Sequence, residues 1–208
     1  IYYLKVFAKA GLYQPLFQRL TQMPATTKSS ILAQNPDLLF PRRFFDIIKT
    51  AGKKFSVSPE LMLSIIRQES SFDPFARSIA DAMGLMQVLP MVADQQFPRT
   101  KIKLEHHEDL YKPEVNVPIG ASLLSDLNQK YRGQFLLVAA AYNASEKSIQ
   151  GWLNTRLGED PLEFIEDIPF EETRGYVKLV LRNFIFYSRL NEPLKPMSFP
   201  MWCLEDLQ

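Results

Sequence analysis

Apolar residues recur at intervals of three and four along most of this chain. Side chains spaced in that way share one face of a helix and need other helices to cover them, so the fold class it sets is mostly α. The clearest instance is "SVSPELMLSIIRQES", residues 56–70. Ser58 has the chemistry of an N-cap, Pro59 suits the first helical position, and Glu60 complements the positive helix start. Further helices are expected after Pro41 in "LLFPRRFFDIIKTAGKK", over "NVPIGASLLSDLNQKY" with Gly133 ending it, over "QFLLVAAAYNA", and over "SIQGWLNTRL". A long one is expected over "IPFEETRGYVKLVLRNFIFYSRL", with Pro169 near its start. Residues 1–40 read as short helical pieces broken at Pro15, Pro24 and Pro36. Residues 71–83 and 98–115 read as loops, and "GLMQVLPMVADQQF" as a turn and a short helix. The tail 191–208, with Pro193, Pro196 and Pro200, reads as surface coil.

Composition narrows the function classes. With 208 residues, 46% of them apolar, the chain can bury one sizeable core. No apolar run approaches the roughly 18–20 residues that span a bilayer, so it is not expected to be integral to a membrane. The start, "IYYLKVFAKAGLYQP", has no charged leader region, cleavage site or initiator Met and reads as an internal start. The single Cys203 excludes an internal disulfide framework and a multi-cysteine metal site. The formal charge of +1 is unevenly spread: residues 1–58 hold nine Lys/Arg against two Asp/Glu, and the rest fifteen against twenty-one. The positive charges are dispersed and no nucleic-acid motif is present, so no nucleic-acid partner is expected. His106 and His107 are adjacent and cannot both face one point, and no ligand spacing suggests a metal. Neither a G-x-S-x-G elbow nor a phosphate loop occurs, and no cofactor is implied.

Four short motifs could carry chemistry. Glu69 lies seven, four and three residues after Met62, Ile65 and Ile66, which places it on the apolar stripe. It also falls in the last helical turn, where the dipole disfavours a negative charge. Both effects favour a neutral carboxyl, as a general acid requires. The alternative is that the helix has ended and Glu69 is solvated. In "GLMQ", Gly84 could allow close approach to a ligand, Met86 could supply an adaptable apolar contact, and Gln87 could bond a substrate amide or hydroxyl. In "AAAYNA", Tyr142 and Asn143 bring a phenol and an amide to a helix end; a buried tyrosine followed by an asparagine C-cap would look the same. In "IPFEETRGYV", Glu171 and Glu172 suit a helix start, and Glu172, four before Tyr176, is expected on the apolar side.

The order "ESSFDPFA", "GLMQVLP", "DLYKPEVNVPIGASLL", "AAYNA", "IPFEETRGYVKLVL" over about residues 40–190 resembles the catalytic domain of the soluble lytic transglycosylases. Those enzymes form a goose-type-lysozyme-like branch of the lysozyme superfamily, and the terminal motif is closest to the large periplasmic subfamily. The resemblance implies a mostly α, lysozyme-like catalytic domain over 41–190. Residues 1–40 would be a helical linker ending an upstream superhelical region, and 191–208 a coil tail. It implies an exported, periplasmic enzyme that acts on peptidoglycan glycan strands. The bond cut is the β-1,4 link from N-acetylmuramic acid to N-acetylglucosamine, and the product carries a 1,6-anhydromuramic end. Candidate partners beyond the glycan are cell-wall synthesis or secretion machinery.

By motif, Glu69 matches the catalytic glutamate and Tyr142 the tyrosine that hydrogen-bonds it. Ser70, Ser71, Met86, Gln87, Asn143 and Glu172 fall on substrate-binding positions. Glycosidases usually use two carboxylates. The family reading needs one: Glu69 acts as acid and then as base, while the substrate's N-acetyl group stabilises the cation. Two departures stand out. Asp81 occupies a position where the family often has Gly. Ser145-Glu146 replace a usual Gly and a Pro or small residue, and a turn needing positive φ would be altered there. The competing functions are a muramidase that hydrolyses the same bond, a peptidoglycan-binding module without turnover, and an intracellular helical adaptor.

Overall fold

The computed structural model describes residues 1–156 and 161–191. The coil expected over 192–208 lies outside the described residues. Among them every regular element is a helix. Helices α1 (Tyr2–Ala10), α2 (Tyr13–Thr21), α3 (Ala25–Gln34) and α4 (Pro36–Leu39) come first. Then follow α5 (Phe45–Phe55), α6 (Pro59–Ser70), α7 (Pro90–Thr100), a 3-10 turn (His107–Tyr111) and α8 (Pro113–Lys130). The chain continues through α9 (Phe135–Asn143), α10 (Glu146–Arg156), α11 (Pro161–Asp167) and α12 (Glu171–Asn191). None of the helices among the described residues is long and apolar enough to cross a membrane.

Most expected elements are present, with three differences. Pro15 does not break a helix: it sits in the first turn of α2, where the missing N–H would have had no partner. Helix α7 runs on to Thr100, two residues past Pro98. Helix α11 was not anticipated; it spans only seven residues, too short for a periodic signal, yet it buries Phe164 and Ile165.

Helix α9 is apolar on every side and occupies the centre, with Phe135 through Ala141 all buried. Helix α12 runs across both α6 and α9, and α8 packs against α5, α7 and α9. The α6 helix is set as its sequence suggests. Ser58 Oγ accepts from the Leu61 N–H (3.1 Å), and Met62, Ile65 and Ile66 are buried.

The segment 1–40 is packed onto α6 and α12 rather than trailing from them. Arg67, two residues before Glu69, donates to the Leu39 carbonyl and lies over the rings of Phe17 (3.9 Å) and Phe40 (4.9 Å). Burial holds its guanidinium down to about 10. Tyr13 of α2 packs on Phe72 (centroids 5.6 Å apart), and Phe40 stacks on Phe186 of α12 at 4.6 Å. Tyr187 donates to the Pro41 carbonyl (3.0 Å). The far side of the α6–α12 pair is thereby filled, which fixes the pair on which the site is built.

Candidate active site

Helix α6 ends abruptly. Ser71 and Phe72 both take left-handed backbone conformations (φ 51° and 64°), which turns the chain away directly after Glu69 and Ser70. Glu69 is therefore in the last turn, half-buried, with its carboxyl toward α12. There the Tyr176 hydroxyl donates to Glu69 Oε1 at 2.6 Å. Burial pushes the Glu69 pKa from 4.5 up to about 7; the Tyr176 bond works against this and the nearby Glu172 carboxylate adds to it. Of the two readings of this helix end, the geometry matches the desolvated acid.

Tyr142 does not hold that carboxyl. Its hydroxyl donates to the Met86 carbonyl oxygen (2.8 Å), because α9 lies beside the 83–88 loop while α12 faces Glu69. Tyr142 is still within electrostatic reach: burial first, and Glu69 second, push its pKa well up. The tyrosine that touches Glu69 is Tyr176, buried in α12, with its own pKa pushed well up by burial and then by Glu69. Sequence reasoning did not assign it a role. The signal that could have found it is the apolar Val180 four residues on, which shares its face of α12.

Two expected substrate contacts, Ser70 and Met86, are buried and engaged by the protein itself. Ser70 is buried and its hydroxyl is engaged by the Ile66 (3.1 Å) and Leu85 (2.8 Å) carbonyls, tying the end of α6 to the 83–88 loop. The Met86 side chain is fully buried against Gly120 of α8, where any Cβ would overlap its sulfur, so it has no open face for a ligand. Gly84 makes its close approach to protein. At φ 76°, a Cβ would run into the Leu110 carbonyl and the Asn116 amide.

Asn116 is the residue that shapes this loop, and sequence reasoning passed over it. Fully buried on α8, it accepts from the Met86 N–H (2.8 Å) and donates to the Met83 (2.8 Å) and Leu110 (2.9 Å) carbonyls. Met83 and Val88 exchange backbone hydrogen bonds at 3.0 Å and close the loop. Gln87, at φ 48°, donates from Nε2 to the Ala76 (3.1 Å) and Gly84 (3.0 Å) carbonyls. Both the side chain of Gln87 and that of Ser71 remain half-buried. Asn143 accepts from Thr173 Oγ1 (2.7 Å), linking the end of α9 to the start of α12; Glu172, expected on the apolar side, is exposed, and the buried residue there is Thr173.

The departures are accommodated locally. Asp81 adopts φ 63°, a conformation that aspartate tolerates better than most residues, and its carboxylate pairs with Arg77 (2.9 Å). Ser145 does not occupy the left-handed region. Its hydroxyl accepts from the Ser148 N–H (3.2 Å) and caps α10.

A half-buried carboxyl thus stands at the end of a helix in a frame whose regular elements, among the described residues, are all helical, as in a lysozyme-like architecture. Solved structures with that fold align with it. The lytic transglycosylase Slt of Pseudomonas aeruginosa, solved as an inactive glutamate-to-glutamine mutant, matches with a TM-score of 0.80 at 29% identity. The match covers 94% of this chain and 31% of that one. The 70 kDa soluble lytic transglycosylase of Escherichia coli matches with a TM-score of 0.74 at 32% identity, covering 82% and 28%. The model of the transglycosylase SLT domain matches residues 46–165, and the chain belongs to that family. Its relatives include the soluble lytic murein transglycosylase of E. coli K12, 37% identical over 152 residues. That of Salmonella typhimurium is 35% identical over 150 residues. Each alignment covers 71% of this chain and 23% of the relative, so the chain spans about a quarter of their length.

Proposed function

We propose that this domain is a lytic transglycosylase that cuts peptidoglycan between N-acetylmuramic acid and N-acetylglucosamine and leaves 1,6-anhydromuramic ends. The observation that carries this is Glu69, with a pKa raised to about 7 by burial and its carboxyl oriented by Tyr176. A carboxyl with that pKa is partly protonated at neutral pH and can exchange its proton in both directions. Protonated Glu69 gives its proton to the glycosidic oxygen as the C1–O bond breaks. The substrate's N-acetyl oxygen stabilises the cation at C1. The Glu69 carboxylate then takes the proton from the C6 hydroxyl as O6 bonds to C1. The cycle returns Glu69 to its starting state and consumes no water.

Tyr142 supports the site through the Met86 carbonyl. Ser71, Gln87, Asn143 and Glu172 face the substrate, while Ser70 and Met86 hold the loop in shape. The kinship with soluble murein transglycosylases supports this reading, as does the inactivity of the glutamate-to-glutamine variant of the Pseudomonas neighbour. We further propose export to the periplasm and a catalytic unit over 41–190, with 1–40 ending a longer helical region, since the alignment to the Pseudomonas structure covers 94% of this chain and 31% of that one.

Glu172, close enough to shift Glu69 electrostatically, gives a second reading its observation: a muramidase in which Glu172 activates a water. Digestion of purified sacculi with product masses decides. Anhydromuramic ends from the wild type, absent with Glu69→Gln, are expected. Reducing muramic ends alone would replace the proposal with hydrolysis, and no fragments at all would leave a binding module.

A further inference from the structure

The loop between α6 and the Gly84–Gln87 turn carries an apolar group that core packing does not explain. Phe75 is 73% exposed, and Ile79 four residues on is fully exposed. Isolated exposed apolar side chains are ordinary, but Phe75 is paired. Its ring lies 6.0 Å from that of Tyr111 at 47°, so two rings from separate elements form an open, tilted notch.

Both rings stand on fixed backbone. The Phe75 N–H donates to Asp73 Oδ1 (2.9 Å). The next carbonyl, Ala76, accepts from the Gln87 side chain (3.1 Å) and the Gly84 N–H (2.9 Å). On the other side, the Leu110 carbonyl beside Tyr111 accepts from Asn116, which also holds Met86. The two rings therefore flank the turn that carries Gln87, and that turn is tied to the end of α6 beside Glu69 by the Ser70 hydroxyl on the Leu85 carbonyl (2.8 Å).

The geometry points to Phe75 and Tyr111 as a stacking platform for one N-acetylhexosamine ring of the glycan, away from the cleaved bond. This rests on the reading of the cleft as glycan-binding. A β-linked pyranose has its hydroxyls around its rim and a flat C–H face, and that face suits the negative face of an aromatic ring. Planar groups at the notch edge can meet the rim hydroxyls: Arg77 is held by Asp81 (2.9 Å), and both Tyr111 and Glu108 lie within its electrostatic reach. The charge balance selects the sugar over the stem peptide. Arg77 is already neutralised by Asp81, with Asp73 and Glu108 also near the notch, so an anionic peptide would meet net negative charge.

The test is calorimetric binding of chitohexaose, which has N-acetylhexosamine rings and no peptide, to the Glu69→Gln protein. Adding Phe75→Ala is expected to weaken binding about tenfold, as is Tyr111→Ala. Phe75→Trp and Tyr111→Phe, which keep a ring, should retain it. Unchanged affinity in both alanine variants would overturn the platform, as would an affinity loss matched by loss of the cooperative melting transition. Loss of affinity for stem-bearing glycan alone would overturn it in favour of a peptide site. Turnover of sacculi by the wild type is scored separately, so a failure of the transglycosylase reading leaves the binding result interpretable.

Discussion

Glu69→Gln should stabilise the protein at alkaline pH and leave it nearly unchanged in acid. Its carboxyl has a pKa of about 7 in the fold against 4.5 for the free group, raised mainly by burial. Below the lower value both folded and unfolded chains are protonated, and the group contributes no pH dependence. Between about 4.5 and 7 the unfolded chain loses its proton first, so stability falls as pH rises; above 7 the full penalty is present. A displacement of that size corresponds to about 3 kcal/mol. For a chain of this length that is roughly 6–12 °C in melting temperature. Glutamine matches the protonated carboxyl in shape, and its carbonyl oxygen can still accept the Tyr176 hydrogen bond. The assay is melting of wild type and Glu69→Gln from pH 4.5 to 8.5. The gap should open across pH 5–7 in favour of the mutant and then level off. Parallel curves would mean that Glu69 ionises as it does in water, and the account of its acidity would fall with them.

The two tyrosines are separable by pH dependence. Tyr176→Phe removes the bond that favours the ionised carboxyl, so the alkaline limb of kcat/KM should move to higher pH. Tyr142→Phe should leave that limb in place and cost about 1–3 kcal/mol in denaturant unfolding, because the Met86 carbonyl loses its partner. A limb moved by Tyr142→Phe instead would reverse the assignment. Asn116→Ala strips partners from the Met86 N–H and the Met83 and Leu110 carbonyls together. A loss of about 3 kcal/mol or more is expected in urea unfolding; a loss below about 1 kcal/mol would show that the loop is held by other means.

What the sequence made legible here is what a single helix decides. The position of Glu69 on the apolar stripe, the Ser58 cap and the burial of Met62, Ile65 and Ile66 all follow from spacing within α6. What it hid depends on how distant elements meet. Tyr142 and Tyr176 are both tyrosines on apolar helix faces, and no local pattern says which one reaches Glu69. That choice is made by α12 lying across α6, through a contact that spans 107 residues of sequence. Met86 looked available because a methionine beside glycine and glutamine suits a ligand site; Gly120, thirty-four positions on, lets it sink into α8 instead. Ser145 looked like a damaged turn because the residue it replaces is usually glycine, yet a serine there can cap the helix that follows. The same division applies to the acidity of Glu69. Helix α6 alone would place the carboxyl correctly but leave it wet. The raised pKa comes from burial beneath neighbouring elements and from Glu172 at the start of α12, so the Glu69 proton is held by tertiary packing rather than by the motif.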